Sequence, residues 1–213
     1  MQFKINPKTE VRSLFPTPFA CFQVPNATAI NSGLEEAVLS REQSETGGKR
    51  SNIGGWQSAD NLIEWQEPEV VELVDTMRFA VLNMVSLVSN TTRFEAAVSI
   101  FAWANVNRSG SYNQVHTHPN NHWSGVYYVT PGEFDEDDVD YPGQLQIHDP
   151  RERADMYLHP GSSVGKPFRI KPQAGMMVMF PSWLSHSVNV FYSQTTRISI
   201  AFNAQATNFK VQS

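Results

Sequence analysis

The sequence predicts a mainly β protein, a barrel or sandwich with a few flanking helices. After Asn90 the chain consists of short runs rich in Val, Ile, Phe and Tyr, separated by turn residues. This pattern is typical of antiparallel sheets rather than of alternating strands and helices. Before Asn90, one segment stands out as a long amphipathic helix that could cover a sheet. Because 213 residues is a usual length for one all-β unit, we expect a single domain over residues 1–213.

Composition and charge exclude several classes of protein. A formal net charge of -5 leaves no basic surface of the kind that binds nucleic acid or an anionic membrane. Cys21 is the only cysteine, so an intramolecular disulfide is impossible and a reducing compartment is indicated. Residues 1–15 lack the apolar core of a signal peptide, and no later stretch has the length of a membrane span. We therefore expect a cytoplasmic protein without nucleic-acid or membrane partners.

The N-terminal part of the chain supplies the elements that flank the barrel. Residues 15–24 are rich in Phe and Val and begin beside prolines, which favours an edge strand. A short helix is expected over residues 34–42, followed by a glycine-bearing loop at residues 44–60. The part of this loop at residues 51–60 can cover the barrel mouth. The long helix is expected over about residues 67–89, because Pro68 stands in its first turn and apolar residues recur at helical spacing.

The β-rich runs follow one another from Val98 onward. We expect about seven strands from these runs, since the first few are close enough to merge. The runs cover residues 98–107, 113–118, 122–130, 143–149, 168–172, 175–180, 185–192 and 197–203. A loop at residues 131–143 holds six acidic residues and is expected to be a solvated hairpin tip. A calcium site is the weaker alternative there, because the acids lack the spacing of an EF-hand loop.

Two histidines stand two residues apart in the run NQVHTHP. Residues two apart in a strand project from the same face, so His116 and His118 point together while Thr117 points away. Two imidazoles on one face are a natural pair of metal ligands, and His186 in FPSWLSHSVNV is the candidate for a third. The pattern predicts a metal site formed by His116, His118 and His186, with positions left open for a substrate or co-substrate.

An arginine follows the last of these histidines in the run RISIAFN. Arg197 and Ser199 share one face of this strand, and Ile198 lies on the other. If the isoleucine face packs against the long helix, the arginine enters the barrel, where a guanidinium needs an anion to offset its desolvation. Because no obvious acid is available, we expect a bound anion held by the guanidinium fork and the Ser199 hydroxyl.

Taken together, these motifs resemble the double-stranded β-helix oxygenases that use Fe(II) and 2-oxoglutarate, in particular a bacterial and phage group. The resemblance covers most of the chain: FPTPF, SNIGGWQS, NQVHTHP, SGVYYV, HDPR, FPSWLSH and RISIAFN. It implies a jelly-roll, cupin-like barrel. It also implies that His116 is the first metal ligand, that His118 occupies the second-ligand position and that His186 is the distal ligand.

The resemblance further assigns an anchor for the co-substrate. Arg197 would bind the far carboxylate of 2-oxoglutarate, and Ser199 would complete an R-x-S pair. Either Tyr127 or Tyr128 would donate a further hydrogen bond. The cofactor set implied is therefore Fe(II) with 2-oxoglutarate as co-substrate.

His118 departs from the family pattern, in which this ligand is usually Asp or Glu. Three neutral imidazoles leave the metal more electrophilic and favour anionic co-substrates. Oxidised iron, however, loses the support of an anionic ligand. Asp149 in HDPR is an alternative source of a carboxylate, so the choice between His118 and Asp149 stays open at this point.

Three functions fit these observations. The first is a non-haem Fe(II)- and 2-oxoglutarate-dependent dioxygenase that hydroxylates an unidentified small molecule or peptide. The second is a three-histidine cupin-type metalloenzyme that acts without 2-oxoglutarate. The third is a non-catalytic, metal-dependent binding module. A homodimer is the commonest oligomer for such a domain.

Overall fold

The computed structural model describes residues 4, 6, 8–133, 141–156 and 160–212. The helices of this part of the chain are α1 (Ala27–Ser44), α2 (Pro68–Ser89) and a short 3-10 helix (Leu62–Glu64). Its strands are β1 (Ala20–Gln23), β2 (Asn52–Ile53), β3 (Trp56–Gln57), β4 (Phe94–Asn107), β5 (Ser111–His116), β6 (Trp123–Thr130), β7 (Leu145–Ile147), β8 (Phe168–Ile170), β9 (Met176–Pro181), β10 (His186–Phe191) and β11 (Arg197–Val211). No helix within these ranges is long and apolar enough to cross a membrane.

The strands form two antiparallel sheets. The larger sheet has the order β1-β9-β6-β11-β4-β3, and the smaller has the order β2-β5-β10-β7-β8. From β4 onward the chain passes repeatedly from one sheet to the other, which is the arrangement of a jelly roll. The mainly β fold and the double-stranded β-helix barrel predicted from the sequence are confirmed.

Both long helices pack on the outer face of the larger sheet. The apolar side of α2, including Leu73, Met77 and Val81, belongs to one buried cluster with Ile198 and Ile200 of β11. The helix predicted over residues 67–89 is confirmed to within one residue. Since the isoleucine face of β11 is covered by this helix layer, the opposite face of that strand is turned toward the space between the sheets.

Several element boundaries differ from those predicted. The helix predicted over residues 34–42 is much longer, because Asn26 takes a left-handed conformation that turns the chain into a helix already at Ala27, and Ile30 adds a buried contact. The edge strand is shorter than residues 15–24. The segment predicted as a loop over residues 44–60 contains β2 and β3, one in each sheet.

The later strands are more separate than predicted, and β4 and β11 are longer than predicted. The eight runs form eight strands, β4 to β11, rather than about seven with merging. β4 begins already at Phe94, and β11 continues to Val211, because these two strands pair with each other from Arg197↔Asn107 to Val211↔Phe94. Most of the predicted acidic hairpin tip, residues 134–140, lies outside the described residues.

Candidate metal centre and anion-binding cavity

Three histidines meet in the space between the sheets. His116 ends β5 and His186 begins β10, and the two residues are direct partners in the antiparallel register, so their side chains are neighbours. His118 follows β5, and its backbone N–H donates to the carbonyl of Ser182 at 3.0 Å. The ring nitrogens that can act as ligands all lie within 4.8 Å of one another. The structure therefore brings together the three predicted ligands, which we call the histidine cluster.

Backbone carbonyls orient two of the imidazole rings. Nδ1 of His116 lies 2.7 Å from the carbonyl oxygen of Gln114, and Nδ1 of His186 lies 2.8 Å from that of Leu184. Since a carbonyl oxygen only accepts, each Nδ1 carries the hydrogen, and each Nε2 keeps its lone pair. This is the arrangement by which second-sphere carbonyls fix metal-binding histidines.

Burial keeps these histidines in the neutral form that binds metal. Desolvation, with the neighbouring His116 and Arg50 charges, lowers the pKa of His118 to about 4. Desolvation, again with His116 as the next contribution, lowers the pKa of His186 to about 3. The pKa of His116 is lowered as well, chiefly by desolvation. Near neutral pH a cation therefore meets little competition from protons at the cluster.

The spacing and chemistry of the cluster fit a first-row divalent cation such as Fe(II). Nitrogens at adjacent positions around one ion, each bound at about 2.1 Å, are about 3 Å apart, so binding would draw together the three rings, whose ligand atoms now lie within 4.8 Å. Imidazole is a good ligand for iron, and three protein ligands leave coordination positions for a co-substrate.

Asp149 does not complete the cluster. Among the described residues, only the three histidines lie close enough together here to share one ion, and no cysteine or acidic side chain joins them. The Asp149 carboxylate instead accepts hydrogen bonds from Arg151 (Nε, 2.9 Å) and from the backbone of Gly165 (3.0 Å). The hydrogen bond from Arg151 holds the pKa of Asp149 well below its usual range. Of the two candidates for the second-ligand position, His118 lies in the histidine cluster and Asp149 does not.

Arg197 is buried with neutral partners only. Its side chain enters the barrel, as predicted, and the residue is 2% exposed. Nη1 donates to Oδ1 of Asn107 at 3.4 Å and to Oγ of Ser199 at 3.3 Å, while Nε is buried without a hydrogen-bond partner. No carboxylate in the described ranges forms an ion pair with this guanidinium. Desolvation lowers the pKa of Arg197, which is the expected mark of a buried charge without a counter-ion.

The two candidate tyrosines lie on opposite faces of β6. The Tyr128 hydroxyl is buried without a hydrogen-bond partner, and the Arg197 guanidinium carbon lies 5.3 Å from its ring centre. Burial raises the pKa of Tyr128, against the opposing effect of the Arg197 charge. Tyr127 faces the helices, where its hydroxyl donates to Oδ1 of Asn31 at 2.6 Å. The assignment of Tyr127 to co-substrate binding is therefore wrong, and Tyr128 is the tyrosine in the cavity.

One cavity joins the metal-binding and anion-binding groups. It is lined by the histidine cluster together with Arg197, Ser199 and Tyr128. Trp103, Asn105 and Asn113 also line it. We call it the inner cavity.

A serine at the inner cavity was not identified from the sequence. Oγ of Ser51 lies 3.3 Å from Nε2 of His116 and accepts a hydrogen bond from Nδ2 of Asn113 at 3.3 Å. The serine reaches this position because Asn52, the next residue, pairs with Asn113 of β5. Two-residue strands carry no periodic signal, so the spacing of residues could not have shown this contact.

Fold and site together define a double-stranded β-helix protein with a place for a divalent cation and an anionic ligand. Residues 101–203, from within β4 to within β11, match a family model described as "Putative 2OG-Fe(II) oxygenase". The matched region includes the histidine cluster and Arg197, and the resemblance and enzyme class predicted from the sequence are confirmed. No curated protein matches the chain.

Several solved structures share this fold. A Pseudomonas putida prolyl-4-hydroxylase is 17% identical with a TM-score of 0.59, over 92% of this chain and 94% of that one. A Trichoplax adhaerens prolyl hydroxylase, solved with a hypoxia-inducible-factor peptide fragment, is 16% identical with a TM-score of 0.58, over 88% and 83%. Streptomyces hygroscopicus HygX, solved with nickel and 2-oxoglutarate, is 11% identical with a TM-score of 0.58, over 92% and 86%. At these identities the likeness shows the fold.

Proposed function

We propose that this protein is a dioxygenase in which the histidine cluster holds Fe(II) and Arg197 binds the far carboxylate of 2-oxoglutarate. One observation carries the assignment: a guanidinium without a counter-ion and a tyrosine hydroxyl without a partner are buried in the cavity that the histidine cluster lines. Buried polar groups are almost always paired in native proteins, so these groups indicate a bound anion.

We also infer that residues 1–213 form one domain, because α1 and α2 share a core with the strands of the matched region.

The side chains around Arg197 bind and orient the co-substrate. Asn107 and Ser199 hold one nitrogen of the guanidinium, which leaves its Nε edge available to a carboxylate in a two-bond geometry. Tyr128 adds a neutral donor at the same end. Leu145 and Val188 supply apolar surface that limits water in the cavity and strengthens these bonds.

Charge also favours a dianion in this cavity. The protein supplies three neutral imidazoles and one guanidinium, so a divalent cation would give the site three positive charges. 2-Oxoglutarate brings two negative charges, one at each end of the molecule. When bound, Fe(II) and 2-oxoglutarate would react with dioxygen: one oxygen atom would enter a substrate C–H bond as a hydroxyl group, and the other would enter succinate as CO₂ leaves the keto acid.

Anaerobic titration tests the proposal. Fe(II)-loaded protein should develop a visible charge-transfer band when 2-oxoglutarate is added, because chelation of iron by the keto acid produces one. In air, the same sample should form succinate even without substrate. Iron binding without either signal would contradict the proposal.

A second function is favoured by one feature, the imidazole of His118 where the family usually has a carboxylate. A three-histidine enzyme that chelates its own substrate would need no keto acid, and Arg197 would then bind the carboxylate of that substrate. The same titration separates the two, since such an enzyme gives no band with 2-oxoglutarate.

Cytoplasmic location and a homodimer remain predictions.

A further inference from the structure

A second pocket, which we call the outer pocket, opens beside the histidine cluster. Its volume is about 340 Å³, and it shares Ser51, Trp103, His116 and His118 with the inner cavity. Arg197 does not line it. A molecule bound in the outer pocket would therefore lie against the histidine cluster while the Arg197 end stays available to the co-substrate.

Carboxamides with unused hydrogen-bonding capacity line the outer pocket. Gln57 is 3% exposed, and its side chain makes no hydrogen bond within the described residues. Asn203 is 8% exposed; its Oδ1 accepts from Ser124 at 2.7 Å, and its amide N–H groups donate to no described residue. Oδ1 of Asn121 is buried without a partner. Because these carboxamides line the pocket with donors and acceptors that no described residue uses, they point to a polar ligand that both donates and accepts.

The remaining walls favour an uncharged, planar group. Trp103 is 8% exposed and presents an indole whose ring centre lies 5.7 Å from that of His118. Arg50, at the rim, is already paired with Asp60 at 2.6 Å. Among the described residues no carboxylate lines the pocket, so an ammonium group would find no counter-ion. An amide can stack on an indole and form two hydrogen bonds with a carboxamide, whereas a carboxylate has no N–H to donate.

We propose that the outer pocket is the substrate subsite and that it selects a substrate presenting a neutral amide, such as a peptide group, next to the histidine cluster. The role as a substrate subsite depends on the proposed oxygenase function. The ability of Gln57, Asn203 and Trp103 to bind an amide does not, so the two can be tested separately.

Nuclear magnetic resonance of the full ¹⁵N-labelled chain tests the subsite, with N-acetylglycine N-methylamide as an uncharged peptide-group probe. Saturable shifts are expected for the side-chain amides of Gln57 and Asn203 and for the Trp103 indole N–H. Gln57→Met should weaken binding about 2- to 10-fold, the effect of one neutral hydrogen bond. The control variant Gln212→Met removes an exposed carboxamide elsewhere and should leave binding unchanged.

Two results would overturn the proposal. One is the absence of shifts at all three side chains in the unsubstituted protein, a readout that does not depend on whether a variant folds. The other is binding of acetate or glycerol at the same resonances as tightly as the amide. The titration is run with and without Zn(II) and 2-oxoglutarate. If the amide binds and 2-oxoglutarate does not, the oxygenase function is refuted but the amide-binding site is not. If 2-oxoglutarate binds and the amide does not, only the proposed subsite is refuted.

Discussion

Replacing Arg197 by Met should change protein stability and co-substrate affinity in opposite directions. In the ligand-free protein the guanidinium is 2% exposed, and its hydrogen-bond acceptors are neutral oxygens of Asn107 and Ser199. Replacing a buried ion pair by apolar residues of similar volume is often neutral or stabilises a protein by about 1–4 kcal/mol, and a buried guanidinium without a counter-ion has no ion-pair energy to offset its desolvation. We therefore expect Arg197→Met to raise the free energy of unfolding of ligand-free protein by an amount in that range.

The loss of affinity follows from the hydrogen bonds that remain available. Nε of Arg197 has no partner, and the hydrogen bonds to Asn107 and Ser199 both come from Nη1, so Nε and Nη2 can give two charge-assisted bonds to a carboxylate. At about 1.5–3 kcal/mol each, two such bonds contribute about 3–6 kcal/mol. Since about 1.4 kcal/mol is a factor of ten, Arg197→Met should weaken 2-oxoglutarate binding by about 10² to 10⁴.

Three measurements on the same variant decide the outcome. Denaturant unfolding gives stability, calorimetry on Zn(II)-loaded protein gives 2-oxoglutarate affinity, and elemental analysis gives iron content, which should not change. Arg78→Met, which removes an exposed guanidinium paired with Asp75, serves as the control and should leave all three values as they were. A destabilised Arg197→Met variant that loses iron but still binds 2-oxoglutarate would show that the guanidinium has a structural role.

Three further predictions concern the walls of the site. Tyr128→Phe should weaken 2-oxoglutarate binding, measured by calorimetry, about 2- to 10-fold. Tyr127→Phe should leave this binding unchanged, but it should lower the free energy of unfolding by about 1 kcal/mol because it removes the hydrogen bond to Asn31 of α1. Burial lowers the pKa of His186 from 6.5 to about 3, so between these pH values the unfolded chain binds a proton that the folded protein does not. The free energy of unfolding of the metal-free protein should therefore fall as the pH decreases from about 6.5 toward 3. Urea unfolding that shows no such loss would contradict this prediction. Gly125→Ala should destabilise the protein by about 1–3 kcal/mol in urea, because the added methyl would overlap the Phe202 ring, and an unchanged midpoint would show that the ring moves freely.

Features that repeat along the chain were predictable from the sequence. The apolar spacing after Pro68 defined α2, and the i, i+2 relation of His116 and His118 placed both rings on one side. The alternation after Arg197 likewise separated a face that packs on α2 from a face turned to the cavity. In each case the physical cause is local, the period of a helix or a strand.

Features that depend on pairing across the fold were not predictable. Alternation shows that Tyr127 and Tyr128 face opposite sides, but the register Ser199↔Tyr128 between β6 and β11 decides which of them reaches the cavity. Ser51 and Gln57 reach the site through strands of two residues, which are too short to show a period. Such strands form because longer strands beside them offer free edges.

Anomalous diffraction from crystals grown without oxygen, with Mn(II) and 2-oxoglutarate, would test the central claim most directly. We expect one metal peak within bonding distance of Nε2 of His116, His118 and His186, and a 2-oxoglutarate carboxylate on the guanidinium of Arg197. A peak that lacks any one of the three rings, or an Arg197 side chain paired with a protein carboxylate, would contradict it.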